Sequence, residues 1–124
     1  MKRPTIALVV AINRAVRADD EWFDEPDDLD RVAAALNAID GIEDPVVAAG
    51  VLAARLARSQ AFGEGNKRTA LLVARWVLDR NGQDGAAFVP PDDFALARLL
   101  VEAAAGRNVE GEVVALLQSR PGGL

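Results

Sequence analysis

SQAFGEGNKRTALLVARWVLDR, residues 59–80, places a glycine-containing break directly before an almost uninterrupted apolar run. The run from Ala70 to Leu78 has apolar side chains on nearly every side of a helix, which is typical of a helix in the centre of a domain. Asn81 and Gly82 follow, and both residue types favour the left-handed conformation that ends helices. We therefore predict a buried central helix over residues 66–79.

The sequence on either side of this helix also has helical periodicity. Further helices are predicted from Thr5 to about Arg17, Pro26 to about Ile39, Asp44 to near Gln60, Pro91 to Gly106, and Asn108 to Leu117. Leu29, Trp76 and Phe94 are assigned to inward faces. The expected fold is an all-α, compact six-helix bundle, with residues 1–124 as a single domain.

Two connections are predicted to be non-helical. Residues 18–25 (ADDEWFDE) are acidic with two aromatic residues, which indicates an exposed loop or flap that can include a short β segment. Residues 83–90 are interpreted as a loop with a short extended segment at Phe88–Val89.

Composition excludes several classes of function. The net charge of −5 disfavours a protein that coats nucleic acid, which needs a basic face. Cysteine and histidine are both absent, so thiolate sites and a histidine base are impossible. No stretch approaches the roughly 20 apolar residues of a membrane span. The basic start, Met1 to Arg3, leads into a short apolar run that we interpret as a helix and not as a signal peptide, so the expected location is the cytoplasm.

The break before the central helix has the residues of a phosphate site. Gly65 and Asn66 stand at the helix start, where free N–H groups and the helix dipole attract anions. An Asn66 amide can donate to a phosphate oxygen, and Lys67 and Arg68 add positive charge. Glu64 could hold Mg²⁺, which favours one or two carboxylates together with substrate phosphates.

The same residues also allow a purely structural interpretation. Glycine-containing helix starts beside basic residues occur in many loops without a ligand. An acid such as Glu64 at a helix start most often only complements the dipole. The residues by themselves leave both interpretations open.

The segment resembles the Fic/Doc signature, His-x-Phe-x-(Asp/Glu)-(Gly/Ala)-Asn-(Lys/Gly)-Arg. The matching residues are Phe62, Glu64, Gly65, Asn66, Lys67 and Arg68, and Thr69-Ala70-Leu71 continues the Doc-like version. The resemblance implies a transferase fold that moves phosphate or AMP from ATP, with Mg²⁺, to a protein hydroxyl, such as one on elongation factor Tu. It assigns Glu64 to the metal, residues 65–68 to the anion, Phe62 to anchoring the loop, and residues 19–25 to a flap that aligns the target.

The chain departs from the signature at the catalytic position. Gln60 stands where the family has the histidine that takes the proton from the target hydroxyl. An amide has no useful basicity, and loss of a positioned base typically costs about 10²–10⁴-fold in rate. Leu72 is a second departure, because Doc carries Asn there. Whether the chain is an active enzyme is therefore left open by the sequence.

Three functions from different classes remain. The first is a Doc-like toxin of a bacterial toxin–antitoxin pair, impaired by Gln60. Its regulator would be a small separate antitoxin, because the sequence has no Ser/Thr-x-x-x-Glu-Gly/Asn inhibitory helix. The second is a natural non-catalytic nucleotide-binding module, and the third is a protein-interaction domain in which the loop is a vestige.

Overall fold

The computed structural model describes residues 1–17 and 27–120, and these ranges fold into helices without a strand. The helices are α1 (Ile6–Val16), α2 (Leu29–Asn37), α3 (Pro45–Ser59), α4 (Asn66–Arg80), α5 (Gly85–Phe88), α6 (Phe94–Ala104) and α7 (Glu110–Gln118). The predicted all-α bundle is confirmed, with one more helix than the six expected. The predicted flap at residues 18–25 lies outside the described residues.

Helix α4 occupies the centre of the bundle, as predicted. It contacts α1, α3, α5 and α6, while α3 also packs against α2, α6 and α7. Val73, Val77 and Leu78 of α4 are fully buried. The prediction of burial on nearly every side was too broad, because Leu72 is 38% exposed and Trp76 is only half-buried.

Aspartate side chains begin several of the helices. Asp44 accepts hydrogen bonds at the start of α3, with Pro45 in the first turn, as the sequence predicted. Helices α2 and α6 each begin three residues later than Pro26 and Pro91 suggested. The reason is that Asp28 and Asp93 serve as N-caps, and each accepts the backbone N–H three residues on.

The predicted extended segment at Phe88–Val89 was wrong, because residues 85–88 form the short helix α5. Asp84 caps this helix by accepting the N–H of Ala87. Asp79 of α4 accepts the N–H of Gly85 at 2.7 Å, which ties α5 to the end of the central helix. A pair of aspartates thus decides the local structure, and a short helix of this kind has too little periodicity to be seen in the sequence.

Two inward assignments were also wrong. Phe94 is 84% exposed and Leu29 is 48% exposed. Each residue directly follows an aspartate N-cap and therefore lies at the outermost turn of its helix. Among the described helices, none combines the length and apolar character that a membrane crossing requires.

Candidate active-site loop

The loop between α3 and α4 begins with a strained residue. Gln60 ends α3 in the left-handed conformation, with φ 51° and ψ 38°, and it is the one non-glycine residue with positive φ among the described residues. Its Nε2 donates to the carbonyls of Ala57, at 3.3 Å, and Ala104, at 3.2 Å. The side chain at the catalytic position of the signature is therefore bonded to the last residue of α6.

The middle of the loop is closed by Asn66 and Phe62. The Phe62 side chain is buried, with 4% of its surface exposed. Oδ1 of Asn66 accepts the Phe62 N–H at 3.1 Å, and Nδ2 donates to the Phe62 carbonyl at 2.9 Å. Nδ2 also lies 3.5 Å from Oε1 of Gln60. Because the Asn66 amide is used within the loop, the group that Asn66 has available for an anion is its backbone N–H.

Gly65 turns the chain into α4. It has φ 76° and ψ 15°, and its carbonyl accepts the N–H of Thr69 at 2.8 Å as the first helical bond. No side chain caps this helix start. The N–H groups of Asn66, Lys67 and Arg68 make no hydrogen bond with any described residue. They are therefore available to an anion, and the helix dipole adds to its attraction.

The charged residues of the loop are exposed. Glu64, Lys67 and Arg68 lie on the surface, and none of them forms an ion pair within residues 1–17 and 27–120. Nor does this part of the chain contain a cluster of three acidic residues for a metal ion. Mg²⁺ bound to a nucleotide needs only one or two carboxylates, because phosphate oxygens and water complete its coordination. The exposed Glu64 carboxylate fits that requirement.

Sequence reasoning missed the contribution of Asn13 in α1. Its Nδ2 donates to the Glu64 carbonyl at 2.9 Å and to the Thr69 hydroxyl at 3.1 Å, and both Asn13 and Thr69 are buried. The signal was present in the sequence, since Asn13 stands four residues after Val9 on the apolar face of the first helix. A polar residue at such a position needs a buried partner.

Leu72 forms part of a cavity of about 200 Å³ beside the start of α4. Arg68 and Arg75 contribute the charged part of its lining, and α1 contributes Val16. Arg75 also donates from Nε to the Val89 carbonyl at 2.7 Å. The second departure from the signature therefore makes an apolar wall one helical turn after Arg68.

The phosphate-site residues named from the sequence, Gly65 to Arg68, lie together with Glu64 and Gln60 around one loop. The sequence model of the Fic/DOC family matches residues 6–78, which is more than half of the 124-residue chain. The matched range runs from α1 through the loop to the end of the buried part of α4. No curated protein matches the sequence significantly. The extent of the family match shows that the chain belongs to the Fic/Doc family.

Proposed function

We propose that this chain is a Doc-like toxin of a bacterial toxin–antitoxin pair that binds Mg²⁺–ATP, with a phosphate on the start of α4. The observation that carries the proposal is the uncapped helix start, where three successive N–H groups are free of described partners beside exposed Lys67 and Arg68. Lys67 attracts the phosphates as a point charge, and Arg68 can bind two phosphate oxygens at once. Glu64 would hold Mg²⁺, which would offset the negative charge of the phosphates.

The reaction is transfer of phosphate or AMP to a protein hydroxyl. The hydroxyl oxygen forms a bond to phosphorus, and the bond to the leaving ADP or pyrophosphate breaks. The proton of the hydroxyl needs an acceptor, and a Gln60 amide does not accept it at neutral pH. We therefore propose that transfer by this chain is impaired at one residue while nucleotide binding is retained.

The geometry at residue 60 is compatible with the histidine of the signature. Histidine is among the residues enriched in the left-handed region that Gln60 occupies. A Gln60→His substitution would place an imidazole at the same loop position. It would remove the hydrogen bonds from the Gln60 side-chain amide to the carbonyls of Ala57 and Ala104. The backbone would not need to change.

The proposed partners follow from the family and not from a surface of the chain. We propose a small antitoxin protein as the regulator, with a tail that orders on binding. We propose a hydroxyl on a protein, such as elongation factor Tu, as the acceptor. The net charge of −5 argues against nucleic acid as a ligand, because phosphate binding of that kind needs a basic face.

One observation favours a second candidate, a non-catalytic nucleotide-binding or protein-interaction module. Gln60 is part of the scaffold, since its amide bridges the end of α3 to the end of α6. A residue with this role can be retained for stability after catalysis is lost. A nucleotide-binding module would bind Mg²⁺–ATP and transfer nothing, even with histidine at residue 60. A protein-interaction domain with a vestigial loop would bind no ATP.

The test compares the chain with its Gln60→His variant. Each protein is incubated with Mg²⁺, a bacterial lysate and ATP labelled at either the α- or the γ-phosphate. We expect only Gln60→His to label a protein, and the labelled position identifies the group that is transferred. Gln60→Asn serves as a matched control, because it retains an amide and gains no base.

The double variant Gln60→His, Glu64→Ala should lose the labelling that Gln60→His gains. ATP binding without labelling by either protein would support the non-catalytic module. If neither protein binds ATP, the phosphate site does not exist and the proposal is wrong.

A further inference from the structure

Asn13 is a fully buried polar residue on the face of α1 that packs against α4. Its Oδ1 has no hydrogen-bond partner among the described residues, and an unpaired buried acceptor is unfavourable. Both of its bonds come from Nδ2, one to the Glu64 carbonyl and one to the Thr69 hydroxyl. The amide nitrogen of Asn13 therefore makes both bonds. It joins α1 to Glu64 and Thr69, which stand before and after the free N–H groups of residues 66–68.

The bond to Glu64 determines the direction of one peptide group. In a trans peptide the C=O and the N–H of the next residue point in opposite directions. The Glu64 carbonyl points to Asn13 of α1, so the Gly65 N–H points away from α1. This N–H makes no hydrogen bond with any described residue.

The backbone conformation places the Gly65 N–H beside the other free donors. Gly65 is left-handed and Asn66 begins a right-handed helix. Successive left- and right-handed residues turn their N–H groups towards a common point, which makes a concave anion site. The Gly65 N–H is therefore directed to the same ligand as those of Asn66 and Lys67.

We infer that Asn13 is a positioning residue that holds the Glu64–Gly65 peptide so that the Gly65 N–H becomes a fourth donor to the bound phosphate. The inference rests on the proposed function for the identity of the anion. With this peptide reversed, the Glu64 carbonyl oxygen would face the phosphate and repel it. The bond from Asn13 opposes that reversal.

The assignment of the Asn13 amide follows from its neighbour. A carbonyl oxygen only accepts hydrogen bonds, so the group that faces Glu64 must be the nitrogen. Side chains of α1 support the same geometry by contact. A Cβ at residue 65 would lie 3.1 Å from Cγ2 of Val16 and 3.3 Å from Nδ2 of Asn13, so the turn is built closely against α1.

The test uses the full chain with Asn13→Leu and Asn13→Ala, neither of which can donate to the Glu64 carbonyl. The carbonyl ¹³C shift of Glu64 and the amide ¹⁵N shift of Gly65 are measured by NMR without ligand. The affinities for pyrophosphate and for Mg²⁺–ATP are measured by calorimetry. Thr69→Val is the matched control, because it removes the other acceptor of Asn13 and leaves the bond to Glu64. Thermal unfolding of every variant is followed in parallel, and Asn13→Ala replaces Asn13→Leu if that variant does not fold.

We expect both Asn13 variants to shift the Glu64 carbonyl resonance and to weaken pyrophosphate binding by about tenfold, as for the loss of one charge-assisted bond. Thr69→Val should change the affinity by less than about threefold. Unchanged shifts and an unchanged affinity in Asn13→Leu would overturn the inference. So would a loss of affinity that is proportional to the loss of thermal stability in all three variants. If the unmodified chain binds neither pyrophosphate nor Mg²⁺–ATP, the proposed function is refuted and the Gly65 N–H is not a phosphate donor. The Glu64 carbonyl ¹³C shift in the Asn13 variants then still decides whether Asn13 holds the peptide.

Discussion

At the scale of single residues, the loop depends on a few side chains with unusual surroundings. Gln60 is left-handed without being glycine, and Asn13 is polar and fully buried. Asn66 uses its side chain to close the loop on Phe62. The left-handed backbone of Gln60 and the unpaired Oδ1 of Asn13 each have an energetic cost that neighbouring contacts offset, which is common where a loop is shaped for a ligand.

The strain at Gln60 predicts an order of stability for two substitutions. Gln60→Ala and Gln60→Gly both remove the bonds to Ala57 and Ala104. Only glycine relieves the left-handed backbone, which costs other residues about 1–2 kcal/mol. Urea unfolding should therefore find Gln60→Gly more stable than Gln60→Ala by about 1 kcal/mol. Equal stabilities would show that residue 60 carries no backbone strain.

At the scale of elements, close helix packing and helix caps hold the bundle in register. Helices α3 and α7 approach each other at Gly50, where a Cβ would lie 2.8 Å from Cγ2 and 3.0 Å from Cα of Val114. Asp93 caps α6 and also forms an ion pair with Arg120, which follows α7. The first contact depends on the absence of a side chain, and the second on a charge.

Gly50→Ala should destabilise the protein by about 1–3 kcal/mol, because the added methyl group meets the backbone of α7 and the helices must separate. Gly111→Ala is the matched control. Gly111 also lies in a helix, but a Cβ there has no neighbour within 4 Å. Alanine should therefore stabilise α7 by up to about 1 kcal/mol. Chemical denaturation of both variants measures the difference, and a neutral Gly50→Ala would contradict the close packing.

Asp93 makes stability depend on pH in the acid range. Burial raises the pKa of its carboxyl, but the hydrogen bond and charge of Arg120 and the N–H groups of Leu96 and Ala95 outweigh burial, so the pKa lies below its ordinary value. The stabilisation is present above the unfolded-state pKa of about 3.9 and is lost as pH falls through the lower folded-state pKa. Asp93→Asn keeps a helix cap without the charge and should flatten this dependence in thermal unfolding between about pH 5 and pH 2. An identical slope in both proteins would rule out this contribution.

At the scale of the whole molecule, a bundle built mainly from small apolar residues supports one charged loop. Helices α1, α3 and α6 each contribute a contact to the loop, through Asn13, Ala57 and Ala104. Binding at the loop is therefore linked to the packing of the bundle. A ligand that binds only the folded state stabilises all of it.

Mg²⁺–ATP should raise the thermal midpoint of the whole chain. At about 100 times its dissociation constant, a ligand of the native state adds about 2.7 kcal/mol to the free energy of unfolding. The effect should disappear in the double variant Lys67→Ala, Arg68→Ala, because the phosphates lose both charges. Arg107→Ala is a suitable control, since Arg107 is exposed and pairs with Glu102 outside the loop. A midpoint that ATP does not change in the parent would argue against the phosphate site.

Much of the fold was predictable because its signals are local. Asp44 and Pro45 start α3 as expected, and the apolar run of α4 lies in the centre. Phe94 and Leu29 were assigned inward because their apolar character fits the periodicity of each helix. Both are exposed first residues of their helices, each directly after an aspartate N-cap. Periodicity gives the direction of a side chain around the helix axis, but not whether another helix extends to that end.

The sequence by itself determined the all-α class, the central helix and which residues form the loop between α3 and α4. The reason is that hydrophobic periodicity and a signature of adjacent residues are both local patterns. Tertiary structure alone decided that the Asn66 amide closes the loop, that Gln60 is bonded to α6, and that Asn13 reaches Glu64. Those bonds join residues that helix packing brings together, and Asn13 and Glu64 are 51 positions apart. No local pattern can show a hydrogen bond whose donor and acceptor meet only when two helices pack.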